Sequence, residues 1–501
     1  MILHVDGNIN KYYVQTLAMV FFPGSSFGEN EEPRNDVPQI TVSSYKDKEG
    51  VETAYASIKL NDKETEAIVA VPDDEPILLA TRPAIAAGRA LFAAGKALLG
   101  YVPPWGILTG VRPAKVAAGV LRTMGGVMKT KRVLRDEFFL TPQKAALAIS
   151  VAQTERKLTK KIPEKSCSLY ISIPFCPSRC AYCSFVSYTT PRLLSMIDEY
   201  LDALILDLDD TFKTIKTLGL NISTIYIGGG TPTTLNEKQL ERVLKKIYTA
   251  LHGQTPPEFT LEAGRPDTIT KEKLLIAKKY GVTRVSVNPQ TLDDEVLRDI
   301  GRKHTAEQFF KAYAIAKESG IRDINVDLIA GLPGVDFKKF AHTLDKIIEL
   351  EPSNITVHTF CVKKASDLLK NDAGVYSISG GDATKSVSYS QLRAKFSGYK
   401  PYYMYRQKNT VGNLENVGFS KEGHEGMYNI YMMEEMQTIF AVGAGSVTKL
   451  VDYNKDDETK TRIQRIFRPK YPYEYLRERK ERPEAREKLK ETILKFYEND
   501  Q

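Results

Sequence analysis

From Cys167 to Phe360 the chain repeats one rhythm about six times: a short apolar run, a loop, then a longer amphipathic stretch. The runs with strand character are Ser168–Ile173, Thr224–Ile227, Phe259–Glu262, Arg284–Val287, Ile324–Leu328 and Ile355–Phe360. Helical patterns separate them at Leu193–Leu218, Glu237–Ala250, Lys271–Tyr280, Ala306–Ser319 and Phe337–Leu350. Strands that alternate with helices make parallel βαβ units with right-handed crossovers. Six units are too few to close an eight-stranded barrel. The rhythm therefore predicts an α/β fold with an open, partial (βα)6 barrel of TIM type, in preference to a doubly wound sheet.

The flanks follow other patterns. Residues 1–160 read as an N-terminal α+β domain. Gln39-Ile40-Thr41-Val42 and Ala67-Ile68-Val69-Ala70-Val71 are strand-like, and an alanine-rich helical region follows Pro83. Thr141-Pro142 starts a further helix, with proline at its first position. The only tryptophan, Trp105, sits in a Pro- and Gly-rich turn; packing is its expected role, docking the alternative. The barrel is expected over 161–370, a mixed α/β C-terminal domain over 371–460, and a charged, solvated helical tail over 461–501. No apolar run approaches the ~20 residues of a membrane helix, and the first residues lack a signal-peptide pattern. A cytoplasmic location without membrane contact is the expectation. A net charge of +8 favours anionic ligands.

Chemistry concentrates where the strands end. Only five cysteines occur in 501 residues, and three of them, Cys176, Cys180 and Cys183, lie within eight positions in the first strand's loop. A closed structural zinc site takes four ligands, whereas an iron–sulfur cubane held by three thiolates keeps one iron open for a ligand that is not protein. The C-x3-C-x2-C spacing favours the open cluster, with zinc as the alternative. An odd cysteine count and the absence of a secretory signal argue against disulfides. Cys167 reads as a packing residue.

Barrel enzymes build their sites at the carboxyl ends of the strands. Here those ends carry Gly228-Gly229-Gly230-Thr231, Glu262, Gln290, Asp327 and His358, with Arg302 after the fourth strand. Polar groups inside apolar strands are costly unless partnered. Bare glycine backbone admits close approach of a ligand. Each feature has a plainer reading: turn glycines, structural ion pairs for Glu262 and Asp327, a packed histidine, a surface arginine.

Taken together, these residues resemble the radical S-adenosylmethionine (SAM) enzymes, whose signature is the C-x3-C-x2-C loop. Within them, the chain resembles the oxygen-independent coproporphyrinogen III oxidases (coproporphyrinogen dehydrogenases). That likeness rests on Leu169-Tyr170-Ile171 leading to Ile173-Pro174-Phe175-Cys176, Gly228 to Thr233, Arg284-Val285-Ser286 with Gln290, Gly301-Arg302-Lys303-His304, and Asp327-Leu328-Ile329 with Gly331-Leu332-Pro333. It spans about residues 165–450, and Glu262-Ala263-Gly264-Arg265-Pro266-Asp267 points to the branch called HemZ. The resemblance implies a [4Fe–4S] cluster on Cys176, Cys180 and Cys183. It implies SAM held by Tyr170, Tyr182, Gly229, Gly230, Thr231, Glu262, Gln290, Arg302 and Asp327, with Tyr170, Glu262 and Gln290 at the reacting centre. Ser172 and Phe185 depart from the family's His and further Cys, and Asn288-Pro289 and Val357–Cys361 are atypical.

The implied reaction is oxidative decarboxylation of coproporphyrinogen III to protoporphyrinogen IX in haem and porphyrin biosynthesis. It proceeds through reductive SAM cleavage and needs an electron donor such as flavodoxin or ferredoxin. The alternatives are a haem-binding or haem-trafficking protein on the same scaffold, and a radical SAM enzyme acting on another tetrapyrrole. No RNA-binding motif appears, and the basic residues are dispersed, so a nucleic-acid partner is not expected.

Overall fold

The computed structural model describes all residues except 26, 28–34, 76, 78–79, 161, 184–186, 362–380, 455–459, 482 and 499–501. Phe185 and the expected boundary near residue 370 lie outside the described residues.

Two sheets organise the chain. The first comprises β1 (Ile2–Asp6), β2 (Gln39–Lys46), β3 (Glu52–Leu60) and β4 (Lys63–Val71), in that order. β1 pairs parallel with β2, and the remaining pairs are antiparallel. β2 alternates buried and partly buried residues along most of its length, the period of a strand with one covered face. The helix Arg82–Leu99 covers it. Thr81 caps its first turn, Pro83 enters it, and Gly100 closes it in a left-handed conformation. Its small residues let neighbours approach: a Cβ on Gly95 would lie 2.7 Å from the Phe21 ring. The expected strand runs of this region lie in β2 and β4, while β1 and β3 are additional.

The second sheet has eleven strands, ordered β11-β12-β10-β9-β8-β7-β6-β5-β13-β14-β15. Its parallel heart is β5 (Ser166–Ile173), β6 (Asn221–Gly229), β7 (Glu258–Glu262), β8 (Arg284–Ser286), β9 (Asp323–Ala330) and β10 (Asn354–Thr359). These are the six expected strands in sequential order, each parallel to the next. The first four residues of β7 are all buried, as befits a strand covered on both faces. Among the described residues the ladder does not close, so the fold is mixed α/β with an open parallel sheet.

The C-terminal chain enlarges that sheet at both edges. β11 (Lys400–Arg406) and β12 (Glu415–Ser420) extend it antiparallel beyond β10. β13 (Ile439–Val442) adds a seventh parallel strand beside β5, followed by β14 (Val447–Asp452) and β15 (Arg462–Phe467). The tail therefore begins as a strand where a helix was expected. Its helices Pro472–Glu481 and Pro483–Glu498 are also more than solvated rods, because Tyr475, Leu476, Ile493 and Phe496 are buried.

Trp105 both packs and docks. Fully buried, it donates from Nε1 to Glu415 Oε2 of β12 at 2.8 Å. Lys144 pairs with the same carboxylate at 2.5 Å, and Arg406 lies 5.5 Å over the indole. No described helix is long and apolar enough to cross a membrane.

Candidate active site

The loops after β5 to β10 and the interior face of the sheet enclose a cavity of about 450 Å³. Cys176, Cys180 and Cys183 open onto it from the first loop, and none of the three is in a disulfide. The loop is held at its base. Cys176 N–H donates to Tyr188 O at 3.1 Å, and Tyr188 N–H returns a bond to Pro174 O at 2.9 Å. Cys176 Sγ lies 3.3 Å from Thr231 Oγ1, and burial pushes its thiol up to about 11. Among the described residues no group of three His, Cys, Asp or Glu side chains is placed to hold one metal ion. Thiolates that ligate separate irons of a cluster face a common space and need not converge on one point.

Arg265 was not among the expected site residues. Nearly fully buried, it spans Asp267 with two bonds and reaches Ser178 Oγ at 3.0 Å and Cys180 Sγ at 3.8 Å. Its sequence signal is its place within the motif Glu262–Asp267, which assigns it no role.

After β6 the backbone forms a cradle with no room for side chains. A Cβ on Gly228 would stand 2.6 Å from Glu262 Oε2 and from Tyr226 Cε1. Gly229 has φ +106°, and a Cβ on Gly230 would strike Phe175 O at 2.6 Å. Gly229 N–H donates to Glu262, which opposes the dominant effect of burial. Burial and the nearby Asp327 charge push that carboxyl up to about 8. Asp327 moves the opposite way: burial works to raise it, but His358, Asn325 and Thr356 hold it below the ordinary carboxylate range. Asn325 Nδ2 reaches its Oδ1 at 2.8 Å, Asn288 Nδ2 its Oδ2 at 2.9 Å, and His358 Nε2 its Oδ2 at 3.8 Å. Asn288, one of the family departures, also accepts Asp327 N–H at 3.1 Å. The cavity thus presents a protonated carboxyl and an ionised one, ready-made as donor and acceptor.

Gln290 carries backbone strain. It adopts φ +68°, unusual for a residue with a side chain, while its N–H and C=O both pair with β9. Its Oε1 is buried without a partner among the described residues and lines the cavity. A strained residue that holds out an unsatisfied oxygen is a hypothesis of ligand contact.

Two residues stand apart from the rest. Arg302 is buried, not a surface residue. Its guanidinium donates to Gly264 O, Asn288 O (2.6 Å) and Tyr182 Oη (3.0 Å). Four of its five N–H groups are thereby engaged, which leaves no fork for a bidentate clamp. Tyr170 is absent from the cavity wall. Its ring stacks instead with Tyr226, which lines the cavity, at 6.1 Å and with Tyr428 at 6.3 Å, one layer behind the wall. Tyr182, Gly229, Gly230, Thr231, Glu262, Gln290, Arg302 and Asp327 all line the cavity. His358 is a hydrogen-bonded wall residue, with Nδ1 3.3 Å from Tyr405 Oη. Ser172 turns away to bond Ala444 O.

The site also draws on residues beyond the six units. Tyr402, Tyr403 and Tyr405 of β11 and Asn429, Met432 and Met433 of the helix Met427–Glu434 close its remaining walls. Glu258 accepts the Met427 and Tyr428 N–H groups and so fixes that helix start inside the barrel.

Comparison with known proteins points the same way as the thiol loop. The radical SAM superfamily matches residues 170–347. The oxygen-independent coproporphyrinogen-III oxidase-like protein HemZ of Bacillus subtilis is 36% identical over 380 residues, 75% of each chain. The heme chaperone HemW of B. subtilis is 38% identical over 197 residues, which span 39% of this chain and about half (51%) of that one. Among solved structures, coproporphyrinogen III oxidase (HemN) from Escherichia coli, described as a radical SAM enzyme, is similar with TM-score 0.46 and 24% identity. That match covers 59% of this chain and 67% of the other.

Proposed function

We propose a function from one premise: the chain belongs to the radical SAM superfamily and, within it, to the oxygen-independent coproporphyrinogen-III oxidase-like family that includes HemZ. Proteins of this superfamily use a [4Fe–4S] cluster and SAM. The reading is that this protein is a coproporphyrinogen dehydrogenase, converting coproporphyrinogen III to protoporphyrinogen IX in the cytoplasm with electrons from a flavodoxin or ferredoxin. The identity to HemZ across three quarters of both chains carries it.

Three features of the cavity fit those groups: three cysteines outside any disulfide on one loop, a glycine cradle that any Cβ would fill, and the orphaned Gln290 Oε1. When bound, the cluster and SAM supply reductive cleavage and a 5′-deoxyadenosyl radical that abstracts hydrogen from the substrate. The protein supplies placement. Cys176, Cys180 and Cys183 would ligate the irons. Because burial keeps the Cys176 thiol protonated at neutral pH, ligation releases its proton. Thr231 and Arg265, already in contact with two of the sulfurs, would steady the resulting thiolates. Gly229, Gly230, Thr231, Gln290 and Asp327 would receive the polar groups of SAM. Glu262, protonated at neutral pH, would donate to an acceptor there. Arg302 would hold Tyr182 and the loops at Gly264 and Asn288 in register rather than grip ligand.

A second reading, a haem carrier, is favoured by the heme-chaperone likeness over 197 residues. Anaerobic reconstitution followed by SAM, dithionite and coproporphyrinogen III distinguishes them. Vinyl product with SAM cleavage supports the oxidase. Tight haem binding without turnover supports the carrier. Cys180→Ala should lose both the brown chromophore and SAM cleavage; retention of full cleavage overturns the assignment of the cluster to this loop.

A further inference from the structure

The first loop is gripped from outside the barrel, and the grip leads to the C-terminal segment. On one flank, the Tyr188 carbonyl accepts the Cys176 N–H. The Tyr188 ring packs against Tyr471 at 5.7 Å, and its hydroxyl donates to Lys470 O at 3.2 Å. On the other flank stands the helix Ile197–Thr217. Its Tyr200 ring meets Phe175, the residue before Cys176, edge-on at 5.2 Å and 88°. Tyr200 Oη donates to Ser172 O at 2.8 Å and accepts the Ala444 N–H at 2.9 Å. Seven residues further along this helix, buried Asp207 accepts from Tyr475 Oη at 2.8 Å, from Gly443 N–H at 3.4 Å and from Arg468. The Tyr200 and Tyr475 rings lie 5.3 Å apart. Both flanks of the cysteine loop thus end on one stretch, Arg468–Tyr475, some 290 residues away in sequence.

We infer that Arg468–Tyr475 is a clasp belonging to the cluster site: through Tyr188 on one side and Asp207–Tyr200 on the other, it positions the loop that carries the three thiols. None of its side chains touches the cavity. Tyr188, Tyr200, Asp207, Tyr471 and Tyr475 are therefore positioning residues. The inference rests on the assignment of the cluster to Cys176, Cys180 and Cys183. Its physical content is local. A cluster is lost when its loop opens, and the open population is set by contacts that hold the loop, not by the stability of distant units.

The test is the rate at which reconstituted full-length protein bleaches in air, read by visible absorbance, with iron and sulfide counted beforehand. Tyr200→Phe keeps the ring and removes one buried hydroxyl; Tyr471→Ala removes the outer ring. Tyr200→Phe loses the hydroxyl that makes two buried hydrogen bonds and should bleach at least about tenfold faster; Tyr471→Ala loses a ring–ring contact and should bleach about fivefold faster. Ile58→Val, a buried deletion in β3, serves as a control of global stability and should bleach at the wild-type rate. Tyr471→Ala lies near the surface and keeps the test alive if Tyr200→Phe folds poorly. Wild-type bleaching in both clasp variants overturns the inference, and so does equally fast bleaching of the control. Cys180→Ala separates the two levels: if it still takes up a full cluster, the ligand assignment fails, whereas a bare Cys180→Ala beside stable clasp variants refutes the clasp alone.

Discussion

Glu262→Gln should stabilise the cluster-free protein, increasingly so as pH rises. The folded chain holds the Glu262 proton up to about pH 8, because burial and the Asp327 charge disfavour the anion, whereas the unfolded chain releases it near 4.5. The folded state therefore binds the extra proton between those values, and stability must fall as pH rises through that window. At about 1.4 kcal/mol per pH unit, the span from 4.5 to about 8 amounts to about 5 kcal/mol. Glu262 is only partly buried and faces a cavity that admits water, so about half of that, ~2 kcal/mol, is the fair expectation. Glutamine keeps an oxygen for the Gly229 N–H and carries no titrating charge. Melting of the metal-free proteins should coincide near pH 5 and separate by roughly 2 °C at pH 8, with the variant higher and the gap constant above that. Parallel melting curves from pH 5 to 9 would refute the claim that this carboxyl is held protonated.

Two further perturbations probe the cradle and the anchor. Gly228→Ala places a methyl 2.6 Å from Glu262 Oε2, so equilibrium dialysis against SAM should show affinity at least about tenfold weaker while circular dichroism is unchanged. Lys144→Met strands Glu415, which is fully buried with Trp105 Nε1 and Gln391 as its remaining donors; denaturant unfolding should show a loss of about 3 kcal/mol. Burial works to raise the Glu415 carboxyl, but Lys144 and Trp105 hold it low, so the wild-type anchor contributes above about pH 4.5 and is lost as pH falls below that. If the two chains lose stability equally at pH 7, Lys144 is not the partner that keeps Glu415 ionised.

What could be read from the sequence were features that depend on neighbours along the chain. The alternation of strands and helices from Cys167 to Phe360 is such a feature, since periodicity is set within each element. The thiol loop is another, because three cysteines within eight residues need no fold to bring them together. β13 could not be read this way. Its four residues, Ile439–Val442, are too short for a pattern, and its parallel place beside β5 follows only from a crossover through β11, β12 and the helix Met427–Glu434. The tail misled for a related reason. Its charges dominate the composition, but a stripe of Tyr475, Leu476, Ile493 and Phe496 is enough to bury one face.

The arginines mark the deeper limit. Sequence offers Arg302, after the fourth strand, as the cation near a strand end, while Arg265 stands unremarked within the motif that starts at Glu262. Which one faces the thiols depends on where their donors are consumed. Arg302 gives four N–H groups to protein oxygens, so it stabilises three loops at once and has little left for ligand. Arg265 also pairs with Asp267, yet its Nη1 edge still reaches Ser178 and Cys180. A guanidinium has a fixed fork and a fixed number of donors, so its function is decided by acceptors that converge from Gly264, Asn288 and Tyr182. Those acceptors come from three different units of the barrel. Only tertiary structure brings them together, and for that reason the cysteines of this site are legible in the sequence while the cation that serves them is not.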